Sequence, residues 1–136
     1  MEFNPKCVLV PESRQYPRKV IRDIHYDGMD LVLAIQGPGF QYARVIFRRP
    51  VGFRILDVRD LTEFWNTYSE PNGWLWEVTD GGWLALESLR ARFPHDFYGE
   101  RLREFFVVDG KCVSVLCMAP PEIVDIGSSP TSGKML

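Results

Sequence analysis

Residues 102–118 read LREFFVVDGKCVSVLCM, two apolar runs separated by Asp109 and Gly110. Asp-Gly between such runs is typical of a β-hairpin, because both residues tolerate the positive φ that a tight turn requires. A two-residue turn would pair Val108 with Lys111 and would leave both faces of the hairpin apolar. A hairpin of this kind is expected at the centre of a sheet that is covered on both sides.

The same rhythm of short apolar runs and turn residues continues along the chain. Asp27-Gly28, residues 37–39 and residues 80–82 are further turn signals, which favour antiparallel strands. The predicted strands are residues 7–10, 19–26, 31–36, 41–47, 51–56, 74–79, 83–89, 102–108 and 111–118. One helix is predicted over residues 61–68, where an acidic capping pair precedes apolar residues at helical spacing.

These elements predict a mainly β fold, either an antiparallel β-sandwich or a strongly bent sheet with one short helix. A chain of 136 residues that is 46% hydrophobic suits a single domain, which we expect over residues 1–126. Residues 127–136 are rich in Gly, Ser and Pro and predict a flexible tail. The odd count of three cysteines and the absence of an apolar leader or a long apolar run predict a cytoplasmic protein without membrane contact.

Residues 60–88 contain all four tryptophans and six carboxylates but no Lys or Arg. Large aromatic side chains carry much of the energy of protein interfaces, and uncompensated negative charge attracts a cationic partner. A two-residue loop within residues 80–82 would place three of the tryptophans on one face of a hairpin, either as core or as a contact surface. The candidate contact residues are Glu70, Trp74, Trp76, Glu77, Asp80, Trp83 and Glu87.

The residue inventory contains no catalytic signature. His25 and His95 lack metal-ligand spacing, and there is no GxSxG, CxxC or phosphate-loop motif. Cys112 and Cys117 fall on opposite faces of a regular strand, so we expect buried structural thiols rather than a shared metal or a disulfide. We therefore expect a protein that is not an enzyme and that binds no metal or cofactor.

A series of arginines forms the other charged feature: Arg44, Arg48, Arg49, Arg54 and Arg59, interleaved with aromatic residues. Arginines beside aromatic rings on a sheet can bind single-stranded nucleic acid, whereas arginines along a strand edge block unwanted sheet pairing. The net charge of −2 argues against a general nucleic-acid binder. A nucleic-acid module using residues 44–59 therefore remains the alternative, together with a small-ligand-binding β-domain.

Two stretches carry a family resemblance: DLVLAIQGPGFQYARVIFRRPVGFRILDVRDLTEFW (residues 30–65) and GGWLALESLRARFPHDFYGERLREFFVVDGKCVSVLCMAPPEI (residues 81–123). They resemble small β-rich bacterial proteins, some of which are immunity proteins encoded beside polymorphic or contact-dependent toxins. The resemblance implies an inhibitor without cofactor that blocks a cognate toxin domain one-to-one. The acidic window favours a basic toxin domain as the partner. Charge reversal at Glu77 or Asp80 would then weaken the binding of that domain. An open β-domain could also form a homodimer by strand addition.

Overall fold

The computed structural model describes residues 6–15, 20–37, 41–57, 73–89, 102–109 and 111–127. Its strands are β1 (Lys6–Leu9), β2 (Val20–Tyr26), β3 (Asp30–Gln36), β4 (Tyr42–Arg48), β5 (Gly52–Asp57), β6 (Leu75–Asp80), β7 (Arg103–Val108), β8 (Lys111–Cys117) and β9 (Glu122–Gly127). A 3-10 helix spans Pro11–Gln15, and one α-helix, α1, spans Trp83–Glu87. The predicted mainly β fold is confirmed.

The strands form two antiparallel sheets that pack face to face. The larger sheet has the order β1-β6-β7-β8-β5, and the smaller has the order β2-β3-β4-β9. Alternate residues of the central strands point between the sheets, as the period of two requires. The residues that fill this layer include Leu31, Leu33, Ile35, Val45, Phe47, Leu75, Phe105, Val107, Val113 and Val115. The rings of Phe47 and Phe105 meet across the layer with centroids 6.2 Å apart, which places the main core between the two sheets of a sandwich.

The chain passes from the smaller to the larger sheet between β4 and β5. Arg49 adopts a positive φ of 45°, and its backbone N–H donates to Asp30 Oδ1 at 3.0 Å. Val51 N–H then donates to the carbonyl of Leu116 at 2.7 Å, which aligns β5 on β8. This short crossing places consecutive segments of the arginine series in different sheets.

The central hairpin of β7 and β8 has a register one residue away from the predicted one. Val108 pairs with Cys112 rather than with Lys111, and Asp109 N–H donates to the carbonyl of Lys111 at 2.8 Å. A one-residue shift exchanges the faces of a whole strand. The prediction that both faces are apolar is nevertheless confirmed, because Cys117 belongs to the core between the sheets and Cys112 to a second cluster on the outer face.

The other predicted strands form with their ends at the predicted residue or one residue from it, but residues 83–89 were predicted wrongly. They form α1 and its last turn instead of the second strand of a hairpin, because β6 is already paired with β1 on one edge and with β7 on the other. Strand β9 was not predicted, and it extends to Gly127, the first residue of the proposed tail. The predicted helix at residues 61–68 and residues 128–136 lie outside the described residues.

Candidate protein-interaction surface

The outer face of the larger sheet, which points away from the smaller sheet, is itself a core. The side chains of Trp76, Val78, Phe106, Val108 and Cys112 form a buried cluster there. The Trp76 and Phe106 rings lie parallel, with centroids 6.5 Å apart. Helix α1 lies against this face. The position of α1 on the sheet therefore determines which side chains are exposed at this part of the surface.

Two side chains attach α1 to the sheet. The Glu104 carboxylate, on β7, accepts hydrogen bonds from the N–H groups of Trp83 (3.1 Å) and Leu84 (2.8 Å). The Trp83 ring extends across the sheet, where it lies 4.7 Å from the Arg54 guanidinium and directly above Gly52. Trp83 therefore anchors the partly buried helix to the sheet through a cation–π contact.

Glu104 is the only charged residue that is buried among the described residues, with 2% of its surface exposed. Burial raises the pKa of its carboxyl group, while the N–H groups of Leu84 and Trp83 and the charge of Arg54 lower it. These three groups offset part of the cost of burying the carboxylate.

Two of the predicted contact residues are core residues. Trp74 is 3% exposed and donates its Nε1–H to the carbonyl of Ser13 at 2.9 Å. Trp76 is 7% exposed and packs in the outer cluster. The prediction that Trp74, Trp76 and Trp83 share one face is wrong, because Trp74 precedes β6 and packs between the sheets, while Trp83 belongs to a helix.

The acidic residues of the window differ in their surroundings. Glu77 forms a two-point ion pair with Arg103, with Nε–Oε2 and Nη2–Oε1 distances of 2.7 Å, which raises the pKa of Arg103. Asp80 is exposed at the end of β6, and Glu87 is half-buried at the end of α1. Glu70 lies outside the described residues. Asp80 and Glu87 therefore lie at α1, whereas Glu77 is paired with Arg103 on the neighbouring strand β7.

The exposed residues around α1 include two leucines that the sequence reasoning did not select. Leu86 and Leu89 are 48% and 65% exposed, and Leu89 is the most exposed large hydrophobic residue in the described part of the chain. Leu89 N–H donates to the carbonyl of Leu86 at 3.1 Å, so both leucines lie on one turn. We call Asp80, Leu86, Glu87 and Leu89 the α1 corner. A helical reading of residues 83–89 would have indicated the spacing of three between the leucines.

The arginine series is divided between opposite faces of the sandwich. Arg44 and Arg48 lie on the outer face of the smaller sheet, where Arg48 pairs with Asp30 at 3.0 Å and with Glu122 at 2.8 Å. Arg54 lies beneath Trp83 on the outer face of the larger sheet, and Arg59 is not among the described residues. The arginines that the structure describes therefore do not form one basic platform.

A cavity of about 290 Å³ lies beside the Glu77–Arg103 pair, with Val8, Phe105 and Pro120 in its wall. The charged groups of that pair already bind each other, which leaves Glu12 as the other charged side chain in the wall. Within the described ranges no cluster of three or more His, Cys, Asp or Glu could hold a metal ion, and no helix is long and apolar enough to cross a membrane.

Known proteins give no direct guide to the function. No family model, no curated protein and no solved structure matches this chain. A function for the chain therefore has to follow from its own surfaces.

Proposed function

We propose that the protein is a bacterial immunity protein, which binds a cognate toxin domain one-to-one in the cytoplasm and neutralises it without catalysis and without a cofactor. The observation that carries this proposal is the α1 corner. There, Leu86 and Leu89 are exposed on one turn next to Glu87, and Asp80 ends the strand that leads into α1. All four residues lie within residues 60–89, which contain no Lys or Arg.

The chemistry of the α1 corner favours a partner with an apolar contact surrounded by basic residues. Burying a leucine side chain contributes roughly 1.5–3 kcal/mol, so Leu86 and Leu89 together could supply a substantial part of a binding energy. Acidic residues at the rim accelerate association with a basic partner and select against an acidic one. Toxin domains that act on nucleic acid or nucleotides need a cationic surface to hold phosphate groups, and they fit this description.

The two alternative functions receive less support from the geometry. A nucleic-acid platform requires arginines and aromatic rings on one face, whereas Arg48 and Arg54 lie on opposite faces of the sandwich. A small-ligand site requires polar groups that converge on a cavity, whereas Glu77 and Arg103 satisfy each other.

The proposal predicts that the toxin is encoded by the gene immediately upstream. Calorimetry with the C-terminal domain of that upstream gene product tests the proposal. We expect a one-to-one complex, with affinity about tenfold lower for Asp80→Lys and for Leu89→Ser, a loss of about 1.4 kcal/mol each. Reversal of Glu77 is a poor test, because it would also break the ion pair with Arg103. For the wild-type protein, the association rate constant should fall as salt is raised.

Matched controls lie on the outer face of the smaller sheet. Asp23→Lys makes the same change as Asp80→Lys, and Val124→Ser makes an apolar-to-polar change comparable to Leu89→Ser. Both positions are exposed, and both variants should keep the wild-type affinity. Wild-type affinity in both Asp80→Lys and Leu89→Ser would exclude the α1 corner as the contact. Failure of the wild-type protein to bind the upstream domain would contradict the immunity function itself.

A further inference from the structure

Helix α1 has little to hold it in place by itself. It contains five residues, and none of them is buried. Isolated helices shorter than about 12 residues are marginal in water, because nucleation costs more than a single turn returns. Its N-cap residue is Gly82, which has no side chain to accept a hydrogen bond from the first turn. The position of α1 must therefore depend on contacts with the sheet.

Glu104 supplies the missing cap from a strand that is distant in sequence. Its two carboxylate oxygens accept the first two N–H groups of the helix, those of Trp83 and Leu84. A Cβ at Gly82 would lie 2.9 Å from Glu104 Oε1 and 2.6 Å from Val78 Cγ1. The absence of a side chain at Gly82 thus makes room for the carboxylate, which ties α1 to β7 instead of to its own N-terminal residue.

The sheet itself gains little from a carboxylate at this position. The neighbours of Glu104 across the strands are Val78 and Leu116, and a leucine in its place would extend the apolar cluster without a buried charge. The benefit of the carboxylate therefore lies mainly in its hydrogen bonds to α1, with a smaller contribution from the charge of Arg54.

The geometry points to Glu104 as a positioning residue that clamps α1 onto the larger sheet and so holds the α1 corner ready for its partner. The link to the partner rests on the proposed function, whereas the clamp is a property of this chain alone. A surface that is already ordered loses less conformational entropy on binding, so the clamp raises affinity without touching the partner.

Amide hydrogen exchange of the full chain tests the clamp without any partner. In Glu104→Leu, the Trp83 and Leu84 amides should exchange about tenfold faster or more, because each loses a charge-assisted hydrogen bond. The amides of β7 and β8 should remain protected, because the new leucine adds an apolar side chain to the buried outer cluster of the sheet. Ser114→Ala is the matched control, because Ser114 is also buried on the outer face, and it should leave the α1 amides unchanged.

Two results would overturn the clamp: unchanged exchange of the α1 amides in Glu104→Leu, or equal acceleration in α1 and in β7. If Glu104→Leu does not fold, Glu104→Gln provides the same test. Its carboxamide has one acceptor oxygen, so at least one of the two amides should exchange faster.

The affinity for the upstream-encoded domain tests the second half of the inference. We expect Glu104→Leu to bind about tenfold more weakly, mainly through faster dissociation, and Ser114→Ala to bind like the wild type. Loosened α1 amides with unchanged affinity would remove the positioning role and leave the immunity function standing. A wild-type protein that does not bind would remove the immunity function, while hydrogen exchange would still decide whether Glu104 clamps α1.

Discussion

The two outer faces of the sandwich differ in how their charged residues are accommodated. On the larger sheet, Trp76 and Phe106 are buried, and the single buried acid, Glu104, binds a helix. On the smaller sheet, Arg48 and Glu122 remain in solvent and pair with each other, and Val124 beside them is 40% exposed. Only the larger sheet supports an additional element, α1, on its outer face within the described residues.

This difference shows where a binding surface can arise in such a fold. Paired charges on an open sheet face are satisfied by one another and by water, and they contribute little to stability. A buried acid requires donors, and Glu104 obtains them from the backbone of α1. The helix held by these bonds carries the exposed side chain of Leu86, and Leu89 is exposed in the turn that follows.

The largest effect should come from truncating the outer cluster. Phe106→Ala should lower the free energy of unfolding by about 3–5 kcal/mol, because it removes a buried ring that packs on Trp76. The matched change on the smaller sheet, Val124→Ala, should cost no more than about 0.5 kcal/mol, since Val124 is exposed. Urea unfolding measures both values, and similar losses in the two variants would show that the faces are not different in kind.

A smaller loss of folding stability is expected from a substitution where α1 meets the larger sheet. Gly82→Ala should cost about 1–3 kcal/mol, because the new methyl group would displace Glu104 or Val78. Gly52→Ala is the control: its Cβ would lie 3.8 Å from the Trp83 ring, an ordinary contact, so no loss of stability is expected. Thermal unfolding followed by circular dichroism gives the comparison, and an unaffected Gly82→Ala variant would contradict the close approach.

The smallest effect is the pH dependence, which should have opposite signs on the two faces. Burial raises the pKa of Glu104 above its ordinary value of 4.5, so the folded state binds more protons and the free energy of unfolding falls as pH rises from 4.5 through the raised pKa. Hydrogen bonds from Arg48 lower the pKa of Glu122, so its contribution is present above 4.5 and is lost as pH falls through the lowered pKa.

Stability measured against pH for the wild type, Glu104→Gln and Glu122→Gln separates these contributions. Relative to the wild type, Glu104→Gln should lose less stability as pH rises above 4.5, and Glu122→Gln should lose less as pH falls below it. Because Glu122 is exposed, its effect should shrink in high salt, whereas that of Glu104 should persist. If both variants changed the pH dependence of stability in the same direction, the opposite pKa shifts assigned to Glu104 and Glu122 would be contradicted.

Most strands could be predicted because their signals are local. Alternating β-branched residues and turn residues such as Asp27 and Gly28 act within a few positions, and Asp27 indeed binds the N–H groups of Met29 and Asp30 at 2.8 Å. The register of the central hairpin could not be predicted, because the Asp109-Gly110 signal does not specify how many residues the loop contains. The observed pairing of Val108 with Cys112 changes which residues of β7 and β8 share a face of the hairpin.

The candidate site was predicted in part. The acidic, tryptophan-rich window directed attention to Asp80, Trp83 and Glu87, which do lie around α1. The sequence reasoning missed Glu104, although an acid within the apolar run of residues 102–108 is a visible signal of a buried partner. It also missed Leu86 and Leu89, because the pattern WLALESL suits a strand as well as a helix when only short-range preferences are counted.

The sequence by itself determined that this chain forms antiparallel strands with apolar faces, because strand and turn preferences are encoded in neighbouring residues. Only the tertiary structure decided that residues 83–87 form a helix. With both edges of β6 paired, no partner edge remained for a further strand, and the Glu104 carboxylate offered acceptors to a helical turn. Contacts between residues about twenty positions apart, which no local pattern records, thus placed the exposed leucines at the α1 corner.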